Sequence, residues 1–385
     1  MPPLPRIYLS PPYQTGAEAV ALQRVLAGNW LAPVGAELKA FEQEMGGYTG
    51  LPHPLAVNAG TAALELAYRA AGVGPGALVL APTFTFAATV APAVRLGAEV
   101  WFVDSDPDSW EVDRGAWYGA LAAAKAASRR VTALVSAPVY GVGEDGRWLR
   151  EQADAQGAQW ICDAAEAVGV RAEESHVGHA ADFVTLSFNG NKILTTGGGG
   201  MVFARDPAKA ELIRLWATQG RTTAWHYEHT EVGSNLCLSN VLAALGRAQL
   251  EALEENIARR AEIKACYAKA LTGLPGMTVG PPLGRKVRSN HWLTCLRLDP
   301  KQTAWTPFEL SRSLADQGIE SRPLWFPLHR QPIFGGACFF GSGAAEQLFA
   351  EGLALPSGSG LTRAEQGEVI AALRTALAAA EGAKL

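Results

Sequence analysis

The sequence predicts an α/β protein built on a mainly parallel β-sheet, with helices on both faces and a smaller C-terminal α+β unit. Apolar strand-like runs alternate with Ala- and Leu-rich helical runs through the first two thirds of the chain. The strand-like runs are apolar at consecutive positions, which is typical of strands covered on both faces. Of the 385 residues 48% are hydrophobic and 18% are charged, which excludes a disordered chain and allows a large core.

Five strand-like runs make up the predicted sheet, and three helical runs connect them. The strands are expected at residues 77–86, 98–106, 131–141, 158–167 and 181–192. The helices are expected at residues 61–72, 114–130 and 146–157, as crossovers between parallel strands. Gly72, Gly97 and Gly157 stand where helix C-caps are expected, because glycine adopts the left-handed conformation without a steric cost.

The last third of the chain predicts a second unit. A single long helix is expected over residues 239–271, with Leu and Ala at helical spacing and charges on the other face. A strand at 291–298, a helix at 307–318 and a final helix at 363–382 follow. We therefore divide the chain into a large domain, residues 1–255, and a small α+β domain, residues 256–385.

Charge and composition argue against several classes of function. The chain carries 33 Lys and Arg against 37 Asp and Glu, a net charge of −4, which disfavours a general nucleic-acid-binding surface. The first residues lack the apolar core of a signal peptide, and no apolar run approaches the ~20 residues that span a bilayer. The five cysteines form no Cys-x-x-Cys pair, so reduced thiols in a cytoplasmic protein are expected.

The segment SFNGNKILTTGGGGM (187–201) places one lysine, Lys192, between an apolar strand and a glycine-rich turn. Ligands bind at strand ends in open α/β sheets, and a desolvated lysine there has a lowered pKa and a nucleophilic amine. These are the requirements of a lysine that forms a Schiff base. The alternative is a surface lysine beside a flexible turn.

Two further features fit the same chemistry. Asp163 ends another buried strand, where its carboxylate either keeps the pyridinium nitrogen of pyridoxal phosphate protonated or caps a helix. Gly60 and Thr61 are expected at a helix N-terminus, whose free N–H groups and dipole suit a phosphate. A plain capped helix is the alternative there. Together with Lys192, these features predict a pyridoxal-phosphate site.

With these motifs the chain resembles the DegT/DnrJ/EryC1/StrS family of pyridoxal-phosphate sugar aminotransferases, from YLSPP (8–12) to LPSGSGLT (355–362). The resemblance implies the fold type I of pyridoxal-phosphate-dependent transferases, with a sheet of about seven strands between helices. Five segments resemble the branch that acts on UDP-4-keto-6-deoxy-N-acetylglucosamine and makes the 4-amino precursor of bacillosamine-type sugars. They are NWLAP (29–33), SFNGNKILTTGGGG (187–200), LSNVLAALGRAQLE (238–251), HWLTCL (291–296) and ESRPLWFPLHRQPIF (320–334).

The resemblance implies roles for individual residues around pyridoxal 5′-phosphate. Lys192 would form the Schiff base and move the proton, and Asp163 would pair with the pyridine nitrogen. Glu166 stands where family members carry Gln or Glu beside the cofactor, and Phe86 matches the aromatic residue that stacks on the pyridine ring. The implied phosphate contacts are Gly60, Thr61, Ala62 and Ser187.

The resemblance also implies substrates and a partner. Asn235 matches an asparagine that reaches the cofactor phosphate of the partner subunit, so a homodimer with shared active sites is expected. Arg322 and His329 match the segment that borders the sugar site. The expected substrates are L-glutamate and a UDP-linked 4-keto-6-deoxy-N-acetylhexosamine, and no metal, nucleic-acid or membrane partner is expected.

One segment departs from the family pattern, and alternatives stay open. The family usually has Gly-Tyr-Asn-Tyr-Arg where this chain has GSNLC (233–237), which leaves the packing of that loop open. HYEH (226–229) offers two histidines and an acid without a third ligand nearby, so we expect no metal site there. The alternatives are an aminotransferase for another keto sugar, at C3 or on a dTDP or GDP carrier, and a non-catalytic regulatory protein with this fold.

Overall fold

The computed structural model describes residues 5–281, 283–284 and 286–382, with side chains as far as residue 376. In these ranges the strands are β1 (Pro54–Val57), β2 (Leu78–Pro82), β3 (Glu99–Val103), β4 (Val131–Ser136), β5 (Gln159–Asp163), β6 (Arg171–Ala172), β7 (Ser175–His176), β8 (Phe183–Ser187), β9 (Gly200–Ala204), β10 (Met277–Gly280), β11 (Val287–Arg288), β12 (Thr294–Leu298), β13 (Arg322–Pro323), β14 (Phe339–Phe340) and β15 (Gly352–Leu355). The α-helices are α1 (Glu18–Ala27), α2 (Ala36–Thr49), α3 (Gly60–Ala70), α4 (Ala91–Arg95), α5 (Arg114–Ala126), α6 (Arg147–Gln156), α7 (Pro207–Ala217), α8 (Asn240–Glu251), α9 (Leu253–Leu271), α10 (Pro307–Ala315), α11 (Ala344–Glu351) and α12 (Arg363–Gly382).

Eight strands form the central sheet, in the order β1-β9-β8-β5-β4-β2-β3-β14. β9 runs antiparallel to both of its neighbours, β1 and β8. The other five pairings of this sheet are parallel. The predicted α/β fold with a mainly parallel sheet is therefore confirmed, and it has the helix-covered architecture of fold type I.

Both faces of the sheet are covered by helices, which is why its strands are apolar at consecutive positions. In β2, Leu78 and Leu80 belong to the core that contains Phe41 of α2. Val79 and Ala81 belong to the opposite core, together with apolar residues of α3 and α7. Because the strands are packed from both sides, their carboxyl ends form a rigid edge on which the connecting loops are positioned.

The predicted strands extend too far at their carboxyl ends. The observed strands end at Pro82, Val103, Ser136, Asp163 and Ser187, several residues before the expected limits. The residues beyond these ends include Thr85, Val139 and Glu166, which line a cavity instead of continuing the β-ladder. Several of these cavity residues, Val139 among them, are apolar or small like the residues of a buried strand, so the sequence pattern did not show where each strand ends.

One predicted helix is in fact two helices. The helix expected over 239–271 breaks at Ala252, between α8 and α9. α8 packs on α2, and a Cβ on Gly246 would lie 2.5 Å from the Phe41 ring. α9 continues to a separate core that contains Ile263 and Tyr267. Leu253 and Ile257 of α9 still belong to the core of Phe41, so the change from one core to the other lies within α9, beyond the break.

The C-terminal residues form a second sheet, which is antiparallel and has the order β10-β12-β15-β13. Apolar side chains of α9, α10 and α12 pack with those of β12 and β15 in a third core. The division of the chain at residue 255 stays a prediction. Within the described ranges, none of the helices is both long and apolar enough to cross a bilayer.

Candidate active site

Two adjoining cavities open where the parallel strands of the central sheet end. The smaller cavity, of about 330 Å³, lies among the ends of β5 and β8 and the start of α3, and Lys192 and Asp163 line it. The larger cavity, of about 630 Å³, is lined in part by the C-terminal segment that contains Arg322. The residues that line both cavities are Thr85, Phe86, Asn191, Trp292 and Trp325.

Lys192 lies in the turn that follows β8. Its backbone N–H donates to the Asn189 carbonyl (3.0 Å), and its side chain is 12% exposed. Nζ lies 3.8 Å from Oε1 of Glu166 and 4.1 Å from the centre of the Trp292 ring. Burial lowers the pKa of the amine, and the carboxyls of Glu166 and Asp163 oppose that shift. The side chain is therefore a buried amine in a cavity, not a surface lysine.

Asp163 is the last residue of β5 and is buried. Oδ2 accepts a hydrogen bond from the Thr89 hydroxyl (2.7 Å), and Oδ1 accepts one from the Ala165 N–H (3.2 Å). Burial raises the pKa of this carboxyl, and its hydrogen bonds oppose the shift. Residues 164–170 form turns and no helix, so Asp163 is not a helix cap. A cationic group of a ligand would stabilise its ionised form.

Glu166 is the carboxyl nearest to the Lys192 amine. Its Oε2 accepts the backbone N–H of Tyr140 at 2.8 Å. The Tyr140 backbone has a φ of +53°, in the left-handed region. This conformation is strained in a bulky residue, and residues that adopt it cluster at functional sites. Burial raises the pKa of Glu166 to about 7. Two buried carboxyls therefore influence one buried amine, and Glu166 is the one within ion-pair distance of it.

The start of α3 forms a cradle for an anion. The helix begins at Gly60, and Ala59 before it provides no side-chain cap, so the first N–H groups lack a partner within the helix. A Cβ on Gly60 would lie 2.9 Å from Cβ of Ser187, so glycine allows α3 to approach the end of β8 this closely. Gly60, Thr61 and Ser187 line the small cavity, and Ala62 follows in the first turn of the helix. A phosphate fits this arrangement.

Phe86 follows β2 and lines both cavities. Its side chain is 55% exposed, and its ring centre lies 5.3 Å from that of Trp325. Phe84, two residues earlier, is a buried core residue. An exposed aromatic ring on a cavity wall can stack on a planar ligand, which a core aromatic cannot do.

The two residues predicted for the sugar site have different surroundings. Arg322 lines the large cavity, has an exposed side chain and pairs with Glu320 (3.0 Å). His329 is not among the residues that line the two cavities. Its Nδ1 lies 2.8 Å from the Thr83 hydroxyl and its Nε2 lies 2.9 Å from Oε1 of Glu346. A substrate contact by His329 stays a prediction that these contacts do not support.

Asn235 also lies outside the cavities of its own chain. It is exposed, and its backbone forms a β-bridge with Thr218. Its carbonyl accepts a weak hydrogen bond from the side chain of Asn58 (3.4 Å), which does line the small cavity. The predicted contact between Asn235 and a phosphate of the partner subunit stays a prediction.

Three aromatic residues of the site were not predicted to act there. Tyr140 stacks between Trp292 and Trp325, with ring centres 6.0 Å apart on each side. Trp325 contacts Phe86, and Trp292 covers the Lys192 amine, so the rings form a continuous wall. Tryptophans in an apolar sequence context are usually core residues, and the sequence offers no signal that separates these two from the others.

The fold and the site together define a class of protein. Around one cavity stand a buried lysine amine, a carboxyl at the end of a strand, an exposed aromatic ring and an uncapped helix N-terminus. They fit the aldehyde, the ring nitrogen, the ring face and the phosphate of pyridoxal 5′-phosphate, in that order. The chain is therefore a pyridoxal-phosphate-dependent enzyme of fold type I.

Comparison with known proteins gives the family. The model of the DegT/DnrJ/EryC1/StrS aminotransferase family matches residues 12–374, and the chain belongs to this family of pyridoxal-phosphate-dependent sugar aminotransferases. The Bacillus subtilis (strain 168) protein named "Putative pyridoxal phosphate-dependent aminotransferase EpsN" is 40% identical over 372 residues, which cover 96% of this chain and 95% of that protein. The GDP-perosamine synthase of Caulobacter vibrioides is 34% identical, with 97% of this chain and 99% of that protein covered. Among solved structures, the aminotransferase TlmJ from Streptoalloteichus hindustanus has a TM-score of 0.87 at 30% identity, over 97% of this chain and 99% of that one.

Proposed function

We propose that the enzyme transfers the amino group of L-glutamate to the 4-keto carbon of a UDP-linked 4-keto-6-deoxy-N-acetylhexosamine, giving a UDP-2-acetamido-4-amino-2,4,6-trideoxyhexose. The observation that carries the proposal is the buried Lys192 amine in a cavity that adjoins a larger one. The choice of UDP and of C4 is supported by the segments 187–200, 238–251 and 320–334, which resemble the branch with that substrate.

The chain's own residues would divide the work as follows. Pyridoxal phosphate supplies an electron sink for the carbon from which a proton is removed. Lys192 binds the cofactor through Nζ and afterwards accepts and returns that proton. Asp163 holds the proton on the pyridine nitrogen through a charge-assisted hydrogen bond. The N–H groups of Gly60 and Thr61 hold the phosphate.

The larger cavity would receive the nucleotide sugar. Its wall includes the aromatic side chains of Tyr8, Phe326 and Phe349, on which a base or the apolar face of a sugar can pack. Arg322 supplies a positive charge for a diphosphate, but it already pairs with Glu320. We therefore expect further positive charge from the partner subunit of the predicted homodimer.

A GDP-linked keto sugar is the competing substrate, and one observation favours it. A relative named GDP-perosamine synthase is 34% identical along nearly the whole chain. Since one family fold accommodates different carriers, whole-chain identity at this level does not decide between UDP and GDP.

The test is a panel of 4-keto-6-deoxy sugars carried on UDP, GDP and dTDP, each incubated with L-glutamate and the cofactor-loaded enzyme. Mass spectrometry of the nucleotide sugar and assay of 2-oxoglutarate give the product and its stoichiometry. We expect amination of the UDP compound at C4, with one 2-oxoglutarate per product. Faster amination of the GDP or dTDP compound would transfer the assignment to that carrier. Absence of amination throughout would contradict the proposal.

The control for this experiment is Lys192→Ala. The substitution removes the only atom that can bind the cofactor covalently at this position, so we expect no borohydride-fixed cofactor on the chain and no turnover. The far-ultraviolet circular dichroism spectrum should be unchanged, because the alanine stands in a turn outside the sheet. Near-normal turnover by this variant would contradict the role of Lys192.

A further inference from the structure

Lys192 and Glu166 form a buried amine–carboxyl pair in the wall of the small cavity. Nζ and Oε1 lie 3.8 Å apart, beyond a hydrogen bond but within ion-pair distance, and both side chains are almost wholly buried. Burial penalises the ammonium and the carboxylate alike, so the neutral pair comes close in free energy to the ion pair. A proton can then lie on either side chain at little cost.

We propose that Glu166 takes up the proton that the Lys192 ammonium releases, so that the amine is neutral when it reacts. The transfer breaks one N–H bond at Nζ and forms one O–H bond at Oε1, and it leaves an amine beside a carboxylic acid. Rotation of the lysine side chain, or one bridging water, closes the 3.8 Å separation. The need for a neutral amine rests on the proposed function, because Lys192 must bind a carbonyl carbon and accept a proton.

The surroundings hold Glu166 in position for this exchange. The left-handed backbone of Tyr140 directs its N–H at Oε2 of Glu166, which leaves Oε1 to face the amine. The side-chain amide of Asn290 donates to the Glu166 carbonyl at 2.9 Å. A Cβ on Gly141 would lie 2.3 Å from Oδ1 of Asn290, so the tight turn after Tyr140 and the anchor of Glu166 pack directly against each other.

Four titratable groups influence Glu166 from the elements around it. They are Lys192 from the turn after β8, Asp163 from the end of β5, the Tyr140 hydroxyl and the Cys295 thiol of β12. Burial raises the pKa of both the hydroxyl and the thiol above their usual values, so both stay neutral. Oε1 of Glu166 lies within ion-pair distance of Nζ, and no atom of Asp163 does. Glu166 is therefore the acceptor. Its carboxylate stabilises the ammonium, and its protonated form leaves the amine neutral.

The test measures the protonation of Lys192 directly, in the full chain freed of cofactor. Trace acetylation with acetic anhydride is carried out at a series of pH values from about 5 to about 10, and mass spectrometry of the Lys192 peptide gives the labelled fraction. The exposed Lys286 serves as the internal reference for reagent activity. Glu166→Gln keeps the size and the acceptor for the Tyr140 N–H but removes the charge. If the pair shares one proton, the parent should label Lys192 in two steps with a plateau of partial labelling between them, because part of the amine is already neutral beside protonated Glu166. Glu166→Gln has no acceptor for that proton, so we expect its labelling to rise in a single step.

Glu42→Gln is the matched control. Glu42 is also a buried carboxyl, it also accepts a backbone N–H, from Ala56 (3.0 Å), and it does not line either cavity. We expect its substitution to leave both labelling steps of Lys192 unchanged. A single labelling step in the parent, or two steps that persist in Glu166→Gln, would overturn the proposal.

A second measurement covers the case in which Glu166→Gln does not fold. Coupling between two sites is reciprocal, so removing the Lys192 cation must raise the pKa of Glu166. In Lys192→Met, infrared spectroscopy should show the carboxylic-acid C=O band persisting to higher pH than in the parent. An unshifted band would overturn the proposal. Failure of the parent chain to capture pyridoxal phosphate at Lys192 would instead contradict the proposed function, whichever way the titrations turn out.

Discussion

The titratable groups around the reacting amine include more acids than bases. Asp163 and Glu166 are two carboxyls, Lys192 is one amine, and no arginine among the described residues forms an ion pair with any of the three. Burial raises the pKa of both carboxyls and lowers that of the amine. A protonated pyridine nitrogen would add the second positive charge. At the scale of single residues, a protonated pyridine nitrogen is therefore the cation that would pair with Asp163.

Asp163→Asn tests that balance. An amide cannot hold the pyridine nitrogen protonated, and the lost charge-assisted hydrogen bond is worth roughly 1.5–3 kcal/mol, so we expect kcat to fall tenfold or more. The cofactor should still bind, because Lys192 and the α3 cradle are intact. Steady-state kinetics and cofactor absorbance measure the two effects. Asp182→Asn, at a carboxyl that pairs with Arg150 outside the cavities, is the control and should leave kcat unchanged.

Some residues of the site could be predicted from the sequence because each stands where an apolar run meets a polar or glycine-rich one. Lys192, Asp163 and Gly60 follow this rule, and parallel strands bring their ends together. Tyr140 and Trp292 could not be predicted, since their contacts with Glu166 and Lys192 join segments that are far apart in the chain. Whether a tryptophan faces a core or a cavity depends on such packing, which local pattern does not encode.

At the scale of elements, the approach of α3 to β8 depends on one glycine. In Gly60→Ala the new Cβ would lie 2.9 Å from Cβ of Ser187, so the helix start must move away from the strand end. We expect the dissociation constant of pyridoxal phosphate to rise about tenfold, ~1.4 kcal/mol, because the N–H groups no longer converge on the phosphate. Fluorescence titration of the cofactor-free chain measures this affinity.

Gly119→Ala is the matched control for that substitution. Gly119 lies inside α5, and a Cβ there would meet no atom within 4 Å. Alanine is the better helix former, so we expect the free energy of unfolding to rise by about 0.5–1 kcal/mol while cofactor affinity is unchanged. Equal affinities in the parent and in Gly60→Ala would show that the close approach of α3 and β8 is unnecessary for phosphate binding.

The small hairpin of β6 and β7 introduces a pH dependence through His176. The imidazole is fully buried, its Nδ1 lies 2.7 Å from the Val177 carbonyl, and burial lowers its pKa to about 4. Between the unfolded value of ~6.5 and 4, the unfolded chain binds more protons, so the free energy of unfolding falls as pH falls. From pH 7 to pH 5 this histidine should cost about 2 kcal/mol.

Urea unfolding at both pH values measures this effect. We expect His176→Gln, which keeps a donor for the Val177 carbonyl, to lose about 2 kcal/mol less than the parent between pH 7 and pH 5. His53→Gln, at an exposed histidine, should behave like the parent. Identical losses in His176→Gln and the parent would mean that His176 is protonated in the folded chain.

The ends of helices and strands could be predicted from the sequence where a single physical requirement fixes their position. Gly72, Gly97 and Gly157 all have positive φ, as their places after helical or apolar runs indicate. The break at Ala252 has neither proline nor glycine, so no local rule of sequence predicts it. The strand-end loops could not be separated from strands, because many residues that face the cavity, Val139 among them, are as apolar as residues that face a core.

At the scale of the whole molecule, one segment carries large apolar side chains that are almost fully exposed. In residues 221–232, Trp225 is 97% exposed, and Tyr227 and Val232 are also exposed. Exposed apolar residues clustered in one segment mark interaction surfaces. Asn235 lies three residues beyond this segment and lines neither cavity of its own subunit. The predicted homodimer would cover the segment and bring Asn235 to the phosphate of the partner subunit.

A mixing experiment tests whether Asn235 acts across the dimer. Asn235→Ala and Lys192→Ala chains are each expected to be impaired, and after subunit exchange a heterodimer collects both lesions in one active site. Its other site then has an intact Lys192 from one chain and an intact Asn235 from the other, so turnover should rise above that of either parent variant. Exchange is followed by native mass spectrometry of one isotope-labelled variant. If heterodimers form and turnover does not rise, both residues serve the site of their own subunit. Each chain then keeps its own defective site, and the heterodimer has no intact one. A fully active monomer at micromolar concentration would contradict the shared site more directly.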